Sequence, residues 1–301
     1  MPSLSNEQHQ LLLRLVIEAM GEGAEAAEDG WSVTHPHGGI MGLVNISRTL
    51  SDIPEERWPE IVADWVDRLA TPPQLPATFE QARAHLRIRL SADGAEPGWA
   101  SYRPVCDGLD QLLVMRTDLG AITISDDQLA SWGADPDAAW KEALDHTIWD
   151  EARERRILAR GRTRIVWVRD NFFASSALLD LRHLLSPWNR FGAVVMVPVR
   201  DALLYAEILD DHIPYASAEM IEIGGRWYVD EPGQISPELF WYRSTSEGGF
   251  ISRLVRVVDS RYEPCWGKDF SAALAELSAD LSVLDAGRSQ SKVRRSPTIQ
   301  R

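Results

Sequence analysis

Cysteine, lysine and uninterrupted apolar sequence are all scarce in this 301-residue chain. Its two cysteines, Cys106 and Cys265, lie far apart and make neither a CxxC pair nor a metal-ligand spacing. Both thiols therefore read as structural, in a reduced cytosolic setting. Lysine occurs only at Lys141, Lys268 and Lys292, so arginine carries almost all the positive charge. With abundant alanine and twelve tryptophans, this is the mark of a GC-rich bacterial coding bias rather than of arginine-specific recognition. Ala193–Val199 is among the longest apolar runs, far short of the roughly 20 residues a membrane-spanning helix needs. The opening residues carry Glu7 and no Lys or Arg ahead of the first apolar stretch, which is not the pattern of a secretory signal. Internal repeats, a glycine-rich phosphate loop and a G-x-S-x-G elbow are also missing. No cofactor, metal or catalytic residue is implied.

The net charge is −14. Nucleic-acid binding needs a positive footprint to release counterions from phosphate, so that class is disfavoured. An acidic surface instead steers the chain toward a basic protein partner, if it has one.

At this length the chain can bury most of its apolar surface as one large domain or two small ones. Ser5 with Gln8 forms a capping-box pattern ahead of an apolar face at Leu11, Leu12, Leu15, Val16 and Ala19, with Gly21 as the stop. Trp31–Thr34 and Ile40–Val44 read as short strands joined through His35-Pro36-His37-Gly38-Gly39. Asn45–Leu50 reads as helical, and a clear amphipathic helix spans about Glu55 to Ala70, with Trp58, Ile61, Val62, Trp65 and Leu69 on one face. Thr71–Pro76 is a proline-stiffened linker. Beyond it, Thr78 heads a helix to about Leu86, and Tyr102–Cys106, Gln111–Arg116 and Ala121–Ser125 form an antiparallel meander. Ser125 or Asp126 caps a helix to Trp132, and another runs from Asp135 to about Trp149.

The most legible block is 164–199: a strand at Ile165–Val168, a helix at Phe173–Leu185 and a strand at Val194–Val199. That spacing permits a right-handed βαβ crossover, although Pro198 favours a sheet edge or a bulge. Leu203–Ile208 can return as a hairpin. Short strands follow at Arg226–Val229, Leu239–Arg243 and Ser252–Val258, then a helix at Phe270–Leu284. The expected architecture is α+β: a mixed, largely antiparallel sheet with flanking helices, one possible βαβ unit (164–199) and a mainly helical N-terminal part. The expected organisation is a helical and hairpin subdomain at 1–72, an α+β domain at 77–286 and a disordered basic tail at 287–301.

Five segments, in this order, resemble a family of bacterial proteins typified by the Bacillus YtpQ protein: Leu43–Arg48, Arg103–Val105, Asp126–Gly133, Asp170–Ser176 and Val197–Leu204. The resemblance extends less clearly to Leu239–Arg243. It implies a fold type and a bacterial cytosolic origin, and carries no catalytic residues.

Candidate sites are few. His35 and His37 stand at a turn tip without a third ligand, which favours a plain loop. If Ile165–Val168 and Val194–Val199 are parallel neighbours, Asp170 and Asp201 lie beyond the carboxyl ends of two strands. Asn171 and Arg200 stand beside them, at the kind of edge where α/β sheets bind ligands. Helix capping by Asp170 or Asn171 and a charged turn at Arg200-Asp201 explain the same residues without a ligand. A Ser175 or Ser176 nucleophile with His183 is excluded, because the residues lie too far apart along one helix. The run Arg153, Arg155, Arg156, Arg160, Arg162, Arg164, with Glu151 and Glu154 interleaved, reads as a solvated helix face. Trp58 and Trp65 are core, whereas Trp99 and Trp188 sit in loops beside Gly or Pro and are candidate partner anchors. The favoured expectation is a non-catalytic protein-binding protein of regulatory or immunity type. The alternative is an enzyme or small-ligand or metal binder using Asp170 and Asp201. Oligomeric state is not encoded in any motif.

Overall fold

A computed structural model describes residues 4–27, 32–34, 40–70, 75–94, 100–117, 120–149, 154–160, 163–169, 172–231, 233–245 and 248–293. The first helix, α1 (Asn6–Met20), starts at the expected capping box. The Gln8 N–H donates to Ser5 Oγ at 3.1 Å, and the Ser5 N–H donates to Gln8 Oε1 at 2.9 Å. Strands β1 (Glu25–Ala26), β2 (Ser32–Thr34) and β3 (Ile40–Gly42) form a small antiparallel sheet, followed by α2 (Val44–Leu50) and, after one 3₁₀ turn, α3 (Trp58–Ala70). These elements share a core drawn, among the described residues, from 4–66, with Leu12, Val16, Leu43, Leu50, Trp58 and Val62 wholly buried.

After α4 (Phe79–Ala82), shorter than the spacing predicts, β4 (Leu86–Ala92) begins a second sheet with β5 (Tyr102–Cys106), β6 (Leu109–Thr117) and β7 (Gly120–Thr123). The central strand β6 pairs antiparallel with all three others. Its side chains alternate as a two-sided strand requires. Leu113 and Met115 pack beneath α5 (Asp126–Ser131) and α6 (Pro136–Trp149), while Leu112 and Val114 meet Ala100 and Phe173. Ser125 is the cap of α5, accepting from the Gln128 N–H at 3.0 Å.

The third sheet has seven strands: β8 (Glu154–Arg160), β9 (Thr163–Arg169), β10 (Ala193–Met196), β11 (Leu203–Glu207), then, beyond α7 (Ile213–Asp230), β12 (Leu239–Thr245), β13 (Gly248–Val258) and β14 (Arg261–Pro264). The last helix is α8 (Lys268–Val293). The spatial order is β14-β13-β12-β10-β11-β9-β8, with every pairing antiparallel. One face (Val166, Val168, Val195, Leu203, Tyr205, Phe240, Tyr242) packs on a 3₁₀ segment, Ser175–His183, and on Leu90 and Leu109 of the second sheet. The other (Ile165, Val194, Met196, Leu204, Leu239, Trp241) is covered by α7 and α8. The architecture is α+β, as the sequence leads one to expect.

Several details differ from the expectation. β9 and β10 run in the same direction, but β11 lies between them, so they are not the parallel neighbours of a βαβ unit. The connecting segment is 3₁₀ rather than α-helical and is broken at Asp180 (φ −140°, ψ 56°), whose carboxylate turns back onto Arg182 and His183. Arg226–Val229 belongs to α7 rather than to a strand. Of the arginine run, Arg155, Arg156, Arg160 and Arg164 lie on the paired strands β8 and β9 and not on a helix, while Arg153 and Arg162 lie outside the described residues. Residues 287–293, expected within a disordered tail, are helical as part of α8, and 294–301 lie outside the described residues. Pro198 falls beyond the end of β10. It offers the ladder only its carbonyl, which accepts from the Ile235 N–H at 2.9 Å.

Candidate functional site

Asp201 occupies the turn between β10 and β11, beside the last residue of β9. The Arg169 guanidinium bridges two acids there: its Nε lies 3.9 Å from Asp201 Oδ2 and its Nη2 is bonded to Glu231 just past α7. The same guanidinium packs over the Trp167 and Trp227 rings, at 5.3 and 5.0 Å from their centroids, and the two rings are 5.1 Å apart. Burial pushes the Glu231 carboxyl above its ordinary range; Arg169 opposes this and Asp201 reinforces it. Arg200 faces away, over the Phe172 ring at 5.5 Å, while its backbone N–H donates to the Gly233 carbonyl at 2.8 Å. The arrangement closes on itself. Arg169 stands where a cation shared by Asp201 and Glu231 would have to sit, and the network ties the end of α7 to the sheet. Asp170 and Asn171 lie outside the described residues, as do Trp99, His35 and His37.

The Ser175 and Ser176 hydroxyls are buried and lack a hydrogen-bond partner among the described residues. Asp210, Asp211 and His212 place three ligand-type atoms within 4.8 Å of one another. Asp210 Oδ1 already accepts from the His212 N–H at 2.9 Å, and the positive end of α7 beside them disfavours a cation. No helix among the described residues is long and apolar enough to cross a membrane.

Trp188 is different. It is 75% exposed and makes no hydrogen bond or ring contact among the described residues. Its loop, 186–192, is held from beneath. Glu207, at the end of β11, accepts from the Ser186 N–H at 2.8 Å, from Ser186 Oγ at 3.0 Å and from Asn189 Nδ2 at 3.0 Å. Asn189 Oδ1 accepts from the Phe191 and Gly192 N–H groups at 3.1 and 2.7 Å, and Asn189 Nδ2 also donates to the Gly192 carbonyl at 2.9 Å. The Trp241 indole N–H donates to the Phe191 carbonyl at 2.8 Å. Gly192, at φ +78°, lets the chain run against β12; a Cβ there would fall 1.9 Å from the Tyr242 carbonyl oxygen. The loop also borders an open groove lined in part by Arg190, Phe191, Arg243, Asp269 and Glu276. Arg190 spans one side of it, paired with Glu276 and, at 3.0 Å, with Asp280 of α8.

Of the other exposed rings, Trp149 (65%) rests edge-on against His183, with centroids 4.5 Å apart. Trp188 was legible as a candidate from its Pro-Trp-Asn context. Glu207 and Asn189, which hold it, were not singled out in the sequence. The available signals were an acid closing the apolar strand Leu203–Ala206 and a turn-type asparagine. No family model, curated protein or solved structure matches the chain.

Proposed function

We propose that this chain is a non-catalytic protein-binding protein whose partner packs on Trp188. The observation that carries the reading is a solvent-facing tryptophan on a loop whose backbone is already ordered. Leaving an indole in water forgoes on the order of 2–3 kcal/mol of burial, and a rigid loop removes the ordering cost that binding otherwise incurs. Tryptophan, with tyrosine and arginine, is enriched among the residues that carry interface binding energy. The net charge of −14 favours a partner with a basic surface. Among the described residues, Asp201 and Glu231 are engaged by Arg169 and favour no second reading. Kinship with the YtpQ-like proteins and a bacterial cytoplasmic setting belong to the same proposal.

Affinity capture from the native cell tests it. The wild-type chain should recover one stoichiometric partner, and Trp188→Ala, which removes no hydrogen bond or ring contact among the described residues, should lose it. Recovery of the same protein at equal yield by both chains would refute the assignment.

A further inference from the structure

We infer that the outer edge of β8 pairs with the same edge of a second copy of this chain, forming an isologous dimer with one continuous sheet. This surface is separate from the Trp188 loop and goes beyond the proposed partner site. β8 is the terminal strand of the seven-stranded sheet, so one side of its backbone has no ladder partner among the described residues. At the middle of its seven residues stands Ile157, 55% exposed. A β-branched residue is well suited to a sheet and poorly suited to water.

The sequence Glu-Arg-Arg-Ile-Leu-Ala-Arg is self-complementary about that isoleucine. A twofold axis at Ile157 sets Ile157 against its copy, Arg156 against Leu158, Arg155 against Ala159, and Glu154 against Arg160 at both ends. Opposite charges directly across a pair of strands stabilise it, and like charges destabilise it. Slipping the register by two residues in one direction sets Arg156 against its own copy. Slipping it in the other sets Arg156 against Arg160. The symmetric register is therefore the one that brings no like charges face to face. Arg155 and Arg156, which would otherwise guard the edge, are engaged within the chain. Arg156 Nε lies 2.6 Å from Glu154 Oε1 and the guanidinium packs over Trp167, while Arg155 hydrogen-bonds the Tyr205 side chain on the inner face.

Sedimentation equilibrium on the full chain, run up to about 100 μM because a short edge buries little surface, tests the inference. The wild type should show a reversible monomer–dimer equilibrium. Ile157→Lys changes a residue already facing solvent, so it should leave the fold intact and give monomer. Glu154→Arg should also give monomer, and Glu154→Arg combined with Arg160→Glu should restore the dimer. A wild type that stays monomeric throughout, or a dimer indifferent to Ile157→Lys and Glu154→Arg, would overturn it.

Discussion

Removing the carboxylate of Glu207 should loosen the Trp188 loop without disturbing the sheet beneath it. Three donors converge on that side chain: the Ser186 N–H, the Ser186 hydroxyl and the Asn189 amide, at 2.8–3.0 Å. A hydrogen bond to a charged acceptor contributes ~1.5–3 kcal/mol. Three on one half-buried carboxylate do not add in full, because they share a network. Glu207→Ala should therefore cost about 3 kcal/mol in urea denaturation. Glu207→Gln should cost about half of that, since one oxygen still accepts while the amide turns a donor toward a donor. Hydrogen exchange localises the effect. The Ser186, Asn189, Phe191 and Gly192 amides are all bonded, so they should exchange slowly in the wild type and far faster in Glu207→Ala. Amides of β10 should be unchanged. If Glu207→Ala is within about 0.5 kcal/mol of the wild type and exchange in 186–192 is unaltered, the loop is not held in the way described.

Three further outcomes follow from the packing and the titrating groups. A Cβ on Gly224 would lie 2.4 Å from Met196 Sδ, whereas one on Gly225 would meet only the Tyr262 hydroxyl, at 3.0 Å. Gly224→Ala should thus destabilise by about 1–3 kcal/mol, and Gly225→Ala should be neutral or gain up to about 1 kcal/mol; equal effects in thermal or urea melts would contradict the close approach of α7 to the sheet. Burial raises Glu231 above its ordinary 4.5, so the folded chain holds that proton more tightly than the unfolded chain. Its share of stability is complete below the unfolded value and is lost as pH rises through the folded one. The stability of Glu231→Gln relative to the wild type should therefore climb as pH rises above 4.5, and a fall would reverse the assignment. Burial pushes the Cys106 thiol up to about 12, while Cys265 is exposed. Ellman titration of the native protein should find Cys265 reacting faster than the half-buried Cys106; equal native rates would count against that difference.

What the sequence made legible was local and periodic. The Ser5 capping box, the Trp58, Ile61, Val62 and Trp65 part of the α3 stripe and the 102–123 meander each rest on a few neighbouring residues, and each is present. What it hid was non-local. Nothing in Ile165–Val168 specifies that β9 pairs with β11 rather than β10, because that choice is made by side chains on two faces of a seven-stranded sheet. The Trp-Tyr-Val run at 227–229 has strand propensity, yet Met220 and Gly224 seat the whole helix on the sheet and tertiary packing prevails. The 3₁₀ segment shows the converse. Its apolar spacing is helical, but Asp180 leaves helical geometry and binds Arg182 and His183 instead. At the candidate sites, Trp188 could be named because turn residues flank it. Its supports could not, since Glu207 lies eighteen residues or more from the loop donors it holds. The strand-end acids were read without Arg169 and Glu231, whose pairing spans 62 residues.

Photocrosslinking in the native cell can decide whether Trp188 anchors a protein interface, as proposed. A benzophenone amino acid would replace Trp188 in one strain and, as a control, the 70%-exposed Tyr215 of α7 in another. One discrete crosslinked partner is expected from position 188 and none from position 215. No adduct from position 188, or the same adducts from both positions, would contradict it.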